Sequence, residues 1–163
     1  MQANYNEILA IVYIPMLEHI KHQEELLAII VRNDFVGSGI QFFTPNEFSQ
    51  QLAYMRHPAG KLIDPHVHNL VPRNITYTQE VLIIKRGRLR VDFYDKERSY
   101  LESRVLGAGD VLLLAAGGHG FEVLEEIEMI EVKQGPYTND QDKTRFSATH
   151  GGVFVLPDSD KPK

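Results

Sequence analysis

An all-β barrel or sandwich is the fold class the sequence predicts. Three observations point there. The chain is a succession of short runs rich in Val, Ile, Leu, Phe and Tyr; Gly or Pro marks the breaks between them; and residues 88–93 alternate strictly between polar and apolar side chains. Branched and aromatic side chains suit a pleated, half-buried surface. Short strands at close, regular spacing with glycine turns are the pattern of sandwiches and barrels. A chain of 163 residues is the size of one domain with extensions, and it can bury a core without disulfides or a structural metal.

Taken in order, the first apolar run covers residues 8–17. Glu7 precedes it and Pro15 interrupts it, with no positive segment before it and no small-residue cleavage site after it. It is also far shorter than the ~20 residues of a membrane span. The expectation is a cytoplasmic protein with no membrane partner. Residues 14–27 permit a short helix with Pro15 in its first turn. Residues 25–32 (ELLAIIVR) and 39–44 (GIQFFT) read as strands, the second ended by Pro45. Residues 45–51 permit one helical turn, and 51–57 (QLAYMRH) read as a strand ended by Pro58.

Residues 80–85 (EVLIIK) and 89–94 (LRVDFY) follow as two strands, with a hairpin turn expected at 85–88. In the second, Leu89, Val91 and Phe93 face one way and Arg88, Arg90 and Asp92 the other. A strand at 100–106, a turn at 107–110 and a short buried strand at 111–115 come next. Residues 120–124 and 129–134 complete the set, with a turn expected at Glu125-Glu126. Beyond Tyr137 the pattern fails, and the charged, Pro-containing end reads as a terminal tail, in which 153–156 can dock on a surface. The organisation expected is one domain: N-terminal strands or a helix (1–50) packed on a barrel (51–137), then a tail (138–163).

Composition excludes several chemistries. With no cysteine there is no thiolate nucleophile, iron–sulfur cluster or Cys-rich zinc site. The net charge of −5 and the lack of a strongly basic stretch argue against nucleic acid, whose phosphates need a Lys/Arg footprint. The expected partner is a small molecule.

The chemistry-bearing pattern starts at Gly60. Five residues on stand His66-Val67-His68, then after eleven residues Glu80, and after six more Gly87; Gly109 and the run Ala115-Ala116-Gly117-Gly118-His119 come later. If residues 66–68 are extended, His66 and His68 project from one face, about 7 Å apart at the backbone. Glu80 opens an apolar strand, sharing a face with Leu82 and Ile84, where an ionised carboxylate is costly unless paired or metal-bound. His119 starts the next apolar strand after a Gly-Gly turn. Each residue alone is commonplace: a lone His-x-His is more often a surface pair than a metal site. Together, three imidazoles and a carboxylate suit one divalent ion of Zn, Fe, Mn, Ni or Co with open positions for water or substrate.

This ordered set resembles the cupin superfamily. Its first motif is Gly, five residues, His-x-His, a short gap, Glu, six residues, Gly; Gly60, His66, His68, Glu80 and Gly87 match it, with a gap of eleven where three or four is usual. Its second motif is matched in part by Gly109, Gly117 and His119, with Ala115 replacing a proline and Val123 replacing an asparagine. The likeness covers residues 52–134. It implies a double-stranded β-helix, or jelly-roll barrel, often a homodimer, with His66, His68, Glu80 and His119 as metal ligands in the barrel mouth. It does not imply a reaction, since cupins host many.

Around that site, the insertion at 69–79 is expected at the rim, where Arg73 and Tyr77 would contact an anionic or sugar-like ligand. Tyr54 and Arg56 share a strand face, as do Arg88 and Arg90, and either pair would hold a carboxylate or phosphate if it faced inward. Phe121 is expected on the face of His119, closing the pocket. A weaker resemblance is to cupins that isomerise keto groups on sugar nucleotides: Tyr137 followed by Asp142-Lys143-Thr144-Arg145 is similar to their C-terminal element, and they use a His-x-His for proton transfer. The expectations are thus a metal-binding cupin acting on a sugar derivative or organic acid, a metal-free isomerase or epimerase with histidine acid/base chemistry, or a non-catalytic sensor.

Overall fold

The structure, a computed structural model, describes residues 15–135 and 143–148 together with the backbone of residues 154 and 155. The described residues form nine strands and no helix: β1 Leu17–His22, β2 Glu25–Val31, β3 Gly39–Phe42, β4 Ala53–Arg56, β5 Glu80–Tyr94, β6 Tyr100–Leu106, β7 Val111–Leu114, β8 Gly118–Lys133 and β9 Phe154–Val155. One sheet runs in the order β1-β2-β7-β5-β6-β9, with β8 along the other edge of β5; β3 and β4 form a separate hairpin. All pairings are antiparallel except β6 with β9. The large sheet is strongly curled into a half-barrel.

Several expected elements are corrected. Residues 14–27 do not form a helix where they are described. β1 and β2 make a hairpin through Gln23, whose φ of 53° serves the turn. β2 then pairs with β7 and buries four consecutive residues, Leu27, Ala28, Ile29 and Ile30, because both its faces are covered. These strands are thus part of the main sheet rather than a layer packed on it. Residues 45–51 turn without forming a helix; Gln51 ties the bend, accepting from the Thr44 hydroxyl and donating to the Pro45 and Phe48 carbonyls. No hairpin turn lies at 85–88 and none at 125–126: β5 and β8 each continue unbroken through these positions. The polar stretch of one strand lies against that of the other. Lys85 meets Glu128, Arg86 meets Glu126 and Glu128, and Arg88 meets Glu125, at 3.4–3.7 Å. Both stretches read as solvated turns because the charges that complement them lie some forty positions away.

Register shifts between Ile84 and Leu89 mark bulges at this crossing, which sharpen strand twist. The curl they build is large. His119 pairs beside Phe93 and Lys133 beside Glu80, at opposite ends of a ribbon that would be about 45 Å long if straight, yet both side chains reach Glu80. The ribbon's ends therefore meet. The main core lies inside the curl: Ile20, Leu27, Ile30, Leu82, Ile84, Leu89, Val91, Phe93, Leu106, Leu112 and Leu114 pack together. The expected face of Leu89, Val91 and Phe93 is buried. A smaller cluster on the other face, Ile29, Val81 and Leu113, is covered by Phe43 and Leu52.

β8 is the less covered member of the ribbon. Phe121, Val123 and Met129 stand opposite core residues Val91, Leu89 and Ile84, yet each is 41–55% exposed. Residues 57–79 lie outside any strand and are exposed up to Gln79, with Leu62, Ile63, Val67, Leu70 and Val71 all turned to solvent. The tail expectation finds a counterpart in β9, which pairs with Ser103 and Arg104 of β6.

Candidate functional site

Where the ribbon's ends meet, a cavity of about 820 Å3 opens, its lining including Tyr77, Glu80, Tyr94, Lys96, His119 and Lys133. Glu80 stands at the start of β5 on the inward face. Its Oε2 is 3.5 Å from His119 Nε2, and its Oε1 accepts a 2.9 Å hydrogen bond from Lys133 Nζ. Tyr94 ends β5 beneath them, and Gly117 carries a φ of 71° in the turn that brings His119 in. A Cβ at Gly117 would fall 2.6 Å from the Tyr94 carbonyl oxygen, so this close approach requires glycine.

These contacts set the charge of the site. The Glu80 carboxyl is held down from 4.5 to about 2, first by its hydrogen bond to His119; burial opposes the shift, and Lys133 reinforces it. A depressed carboxyl pKa adds stability that is fully present above about 4.5 and is lost as pH falls toward 2. Urea unfolding of wild type and Glu80→Gln is therefore expected to differ most at neutral pH, with the gap narrowing steadily between pH 4.5 and 2; a constant gap across that range would remove this role.

The four ligand-type residues of the sequence pattern fall into two pairs. Glu80 and His119 come together in the cavity. His66 and His68 lie on the exposed segment, their rings 5.3 Å apart, with His66 Nδ1 2.9 Å from the Asp64 carbonyl oxygen. That segment is irregular rather than a strand, so the alternation argument for their shared face does not hold here. Among the described residues no group of three or more His, Asp and Glu side chains is arranged to hold a metal ion. Carboxylate and imidazole are suitable donors for two positions of such an ion, but the ammonium of Lys133 occupies the same carboxylate.

Of the other expected contacts, Tyr77 lines the cavity. Arg73 does not; it donates to the Val71 carbonyl in the exposed segment. Tyr54 packs edge-on against Phe35, and it and Arg56 belong to the separate hairpin. Arg88 and Arg90 point away from the core, and Arg90 is engaged by Asp92 and Glu122. Phe121 contacts the His119 ring at 5.3 Å but stands outside the cavity lining. Tyr137 and Asp142 lie outside the described residues, whereas Lys143, Thr144 and Arg145 reach the cavity wall. Sequence reasoning missed Lys133, Tyr94, Lys96 and Arg98. For Lys133 a signal was present: it is the inward-phased cation at the end of β8.

No protein-family model, curated protein or solved structure matches the chain. No helix among the described residues is long and apolar enough to cross a membrane. Fold and site together define an all-β half-barrel with a charged cavity at the junction of its longest strands.

Proposed function

We propose that the chain is a metal-binding cupin that takes a small polar metabolite, such as a sugar derivative or organic acid, in this cavity. The observation that carries the reading is the meeting of Glu80 and His119. They are far apart in sequence, and the family pattern names both as ligands of one ion. Glu80 and His119 would hold the ion, with His66 and His68 joining from the 57–79 segment. Thr76, in that segment, already lines the cavity, and the eight steps back to His68 span at most about 28 Å. Folding the segment inward would also cover apolar surface on both sides: Leu62, Ile63, Val67, Leu70 and Val71 on the segment, Phe121, Val123 and Met129 on β8. A divalent ion there would polarise a bound carbonyl or activate a water. Lys133, freed from Glu80, would remain at the cavity wall to hold a negative group of the ligand.

Metal analysis of protein purified without a histidine tag tests this. About one Zn, Fe, Mn, Ni or Co per chain is expected, falling below a tenth of that in His66→Ala and His119→Ala. Protein that stays metal-free after incubation with each ion overturns the reading.

One observation favours a second reading, in which His119 acts as a metal-free acid or base: Lys133 already neutralises Glu80 at 2.9 Å, and the His119 imidazole, 3.5 Å from the same carboxylate, lines the cavity. An isomerase or epimerase of a keto sugar derivative would use it so. Turnover by chelator-treated protein, lost in His119→Ala, would select this reading over the first.

A further inference from the structure

We propose that the outer rim of the cavity is a binding site for a phosphate group carried by the ligand. The inference rests on the cavity being a ligand site, not on the metal. Five cationic side chains line it, Lys96, Arg98, Lys133, Lys143 and Arg145, against two carboxylates, Glu80 and Asp95; Lys133 is paired with Glu80, and Lys96 with Glu25 outside the lining. This excess sits on a chain whose net charge is −5, so it is a local arrangement and not a consequence of composition. The two carboxylates are already engaged: Glu80 by Lys133 and His119, and Asp95 by the Ser99 backbone N–H at 2.7 Å.

Two segments hold the rim in place. Arg98 sits in the β5–β6 turn, where its N–H donates to the Asp95 carbonyl. Its φ is 69°, a left-handed conformation that glycine or asparagine would adopt more readily. The guanidinium lies over the Phe146 ring, 5.8 Å from its centroid. Phe146 in turn packs edge-on against Tyr94 at 5.1 Å, anchoring residues 143–148, whose Lys143 lines the same cavity. Among the described residues no carboxylate pairs with Arg98 or Lys143. A planar guanidinium and an ammonium brought to one cavity by two segments match a tetrahedral dianion better than a single carboxylate.

The test is a titration of inorganic phosphate into chelator-treated protein, followed by amide chemical shifts at low ionic strength. Saturable shifts are expected around residues 95–99, 117–120 and 143–146. Affinity should fall at least tenfold in the Arg98→Gln/Lys143→Gln double variant and decline with added salt. Acetate should bind at least tenfold more weakly than phosphate. Absence of saturation, equal affinity in the double variant, or acetate binding as well as phosphate would each overturn the proposal. Both positions are exposed, so the variant should keep the wild-type unfolding midpoint and metal content; these two measurements separate failure of the rim from failure of the fold or of the metal reading.

Discussion

Gly87→Ala is expected to cost about 3 kcal/mol or more of unfolding free energy, the range of severe single-site changes. Gly87 carries a φ of 86° where β5 passes its bulges, and a left-handed conformation alone costs an alanine roughly 1–2 kcal/mol. Space makes it worse. A Cβ there would fall 2.0 Å from the Glu126 carbonyl oxygen and 2.9 Å from the Ile127 Cα. Both obstacles are backbone of the paired strand, so no side chain can swing aside. Relief requires β8 to move off β5 at the bend that brings Glu80 to His119. Gly107→Ala is the control: no heavy atom lies within 4 Å of its Cβ position, and a change within about 0.5 kcal/mol is expected. Urea midpoints for the two variants that coincide would show that the bend tolerates a side chain.

Arg32→Ala is expected to cost about 3–5 kcal/mol, the loss incurred when one partner of a buried ion network is removed. Arg32 is 6% exposed at the end of β2. Its Nε donates to Glu18 at 2.7 Å, and its Nη1 donates to the Val105 carbonyl at 2.8 Å and to Asp110 at 3.0 Å. Asp110 also accepts from the N–H groups of Asn33 and Gly107, and Glu18 accepts from Arg104. The guanidinium thus ties β1, β6 and the β6–β7 turn into one unit. Without it, the buried carboxylates of Glu18 and Asp110 lose their shared counter-charge. Arg32→Lys should recover only part of the loss, since an ammonium cannot make the forked contacts. Denaturant unfolding checks both, and a cost below about 1 kcal/mol for Arg32→Ala would mean the network carries little stability.

Neither effect was readable from the local sequence. Gly87 stood out only as the end of a spacing motif, and Lys-Arg-Gly-Arg around it looked like a hairpin turn. The polar character of that turn has another origin: Glu125, Glu126 and Glu128 lie against it from β8. Arg32 entered the sequence reading only as the last residue of a strand run, because its partners come from positions 18, 105 and 110. The strand-forming runs themselves were legible. Residues 100–106 match β6 end to end, and the alternation at 88–93 placed Leu89, Val91 and Phe93 in the core. Period-two patterning records which face a residue takes, but not whether two successive runs are two strands or one.

The site divides along the same line. Sequence by itself determined the all-β class, the inward phase of Glu80 and the candidacy of His119, because each follows from a strand's own periodicity and residue chemistry. Tertiary structure alone decided that Glu80 and His119 meet, that Lys133 joins them, and that His66 and His68 stand apart on an exposed segment. The physical reason is the curl of the β5–β8 ribbon: bulges at 84–89 bend it until its ends touch, and a bend built on pairing between distant strands leaves no periodic trace in either one.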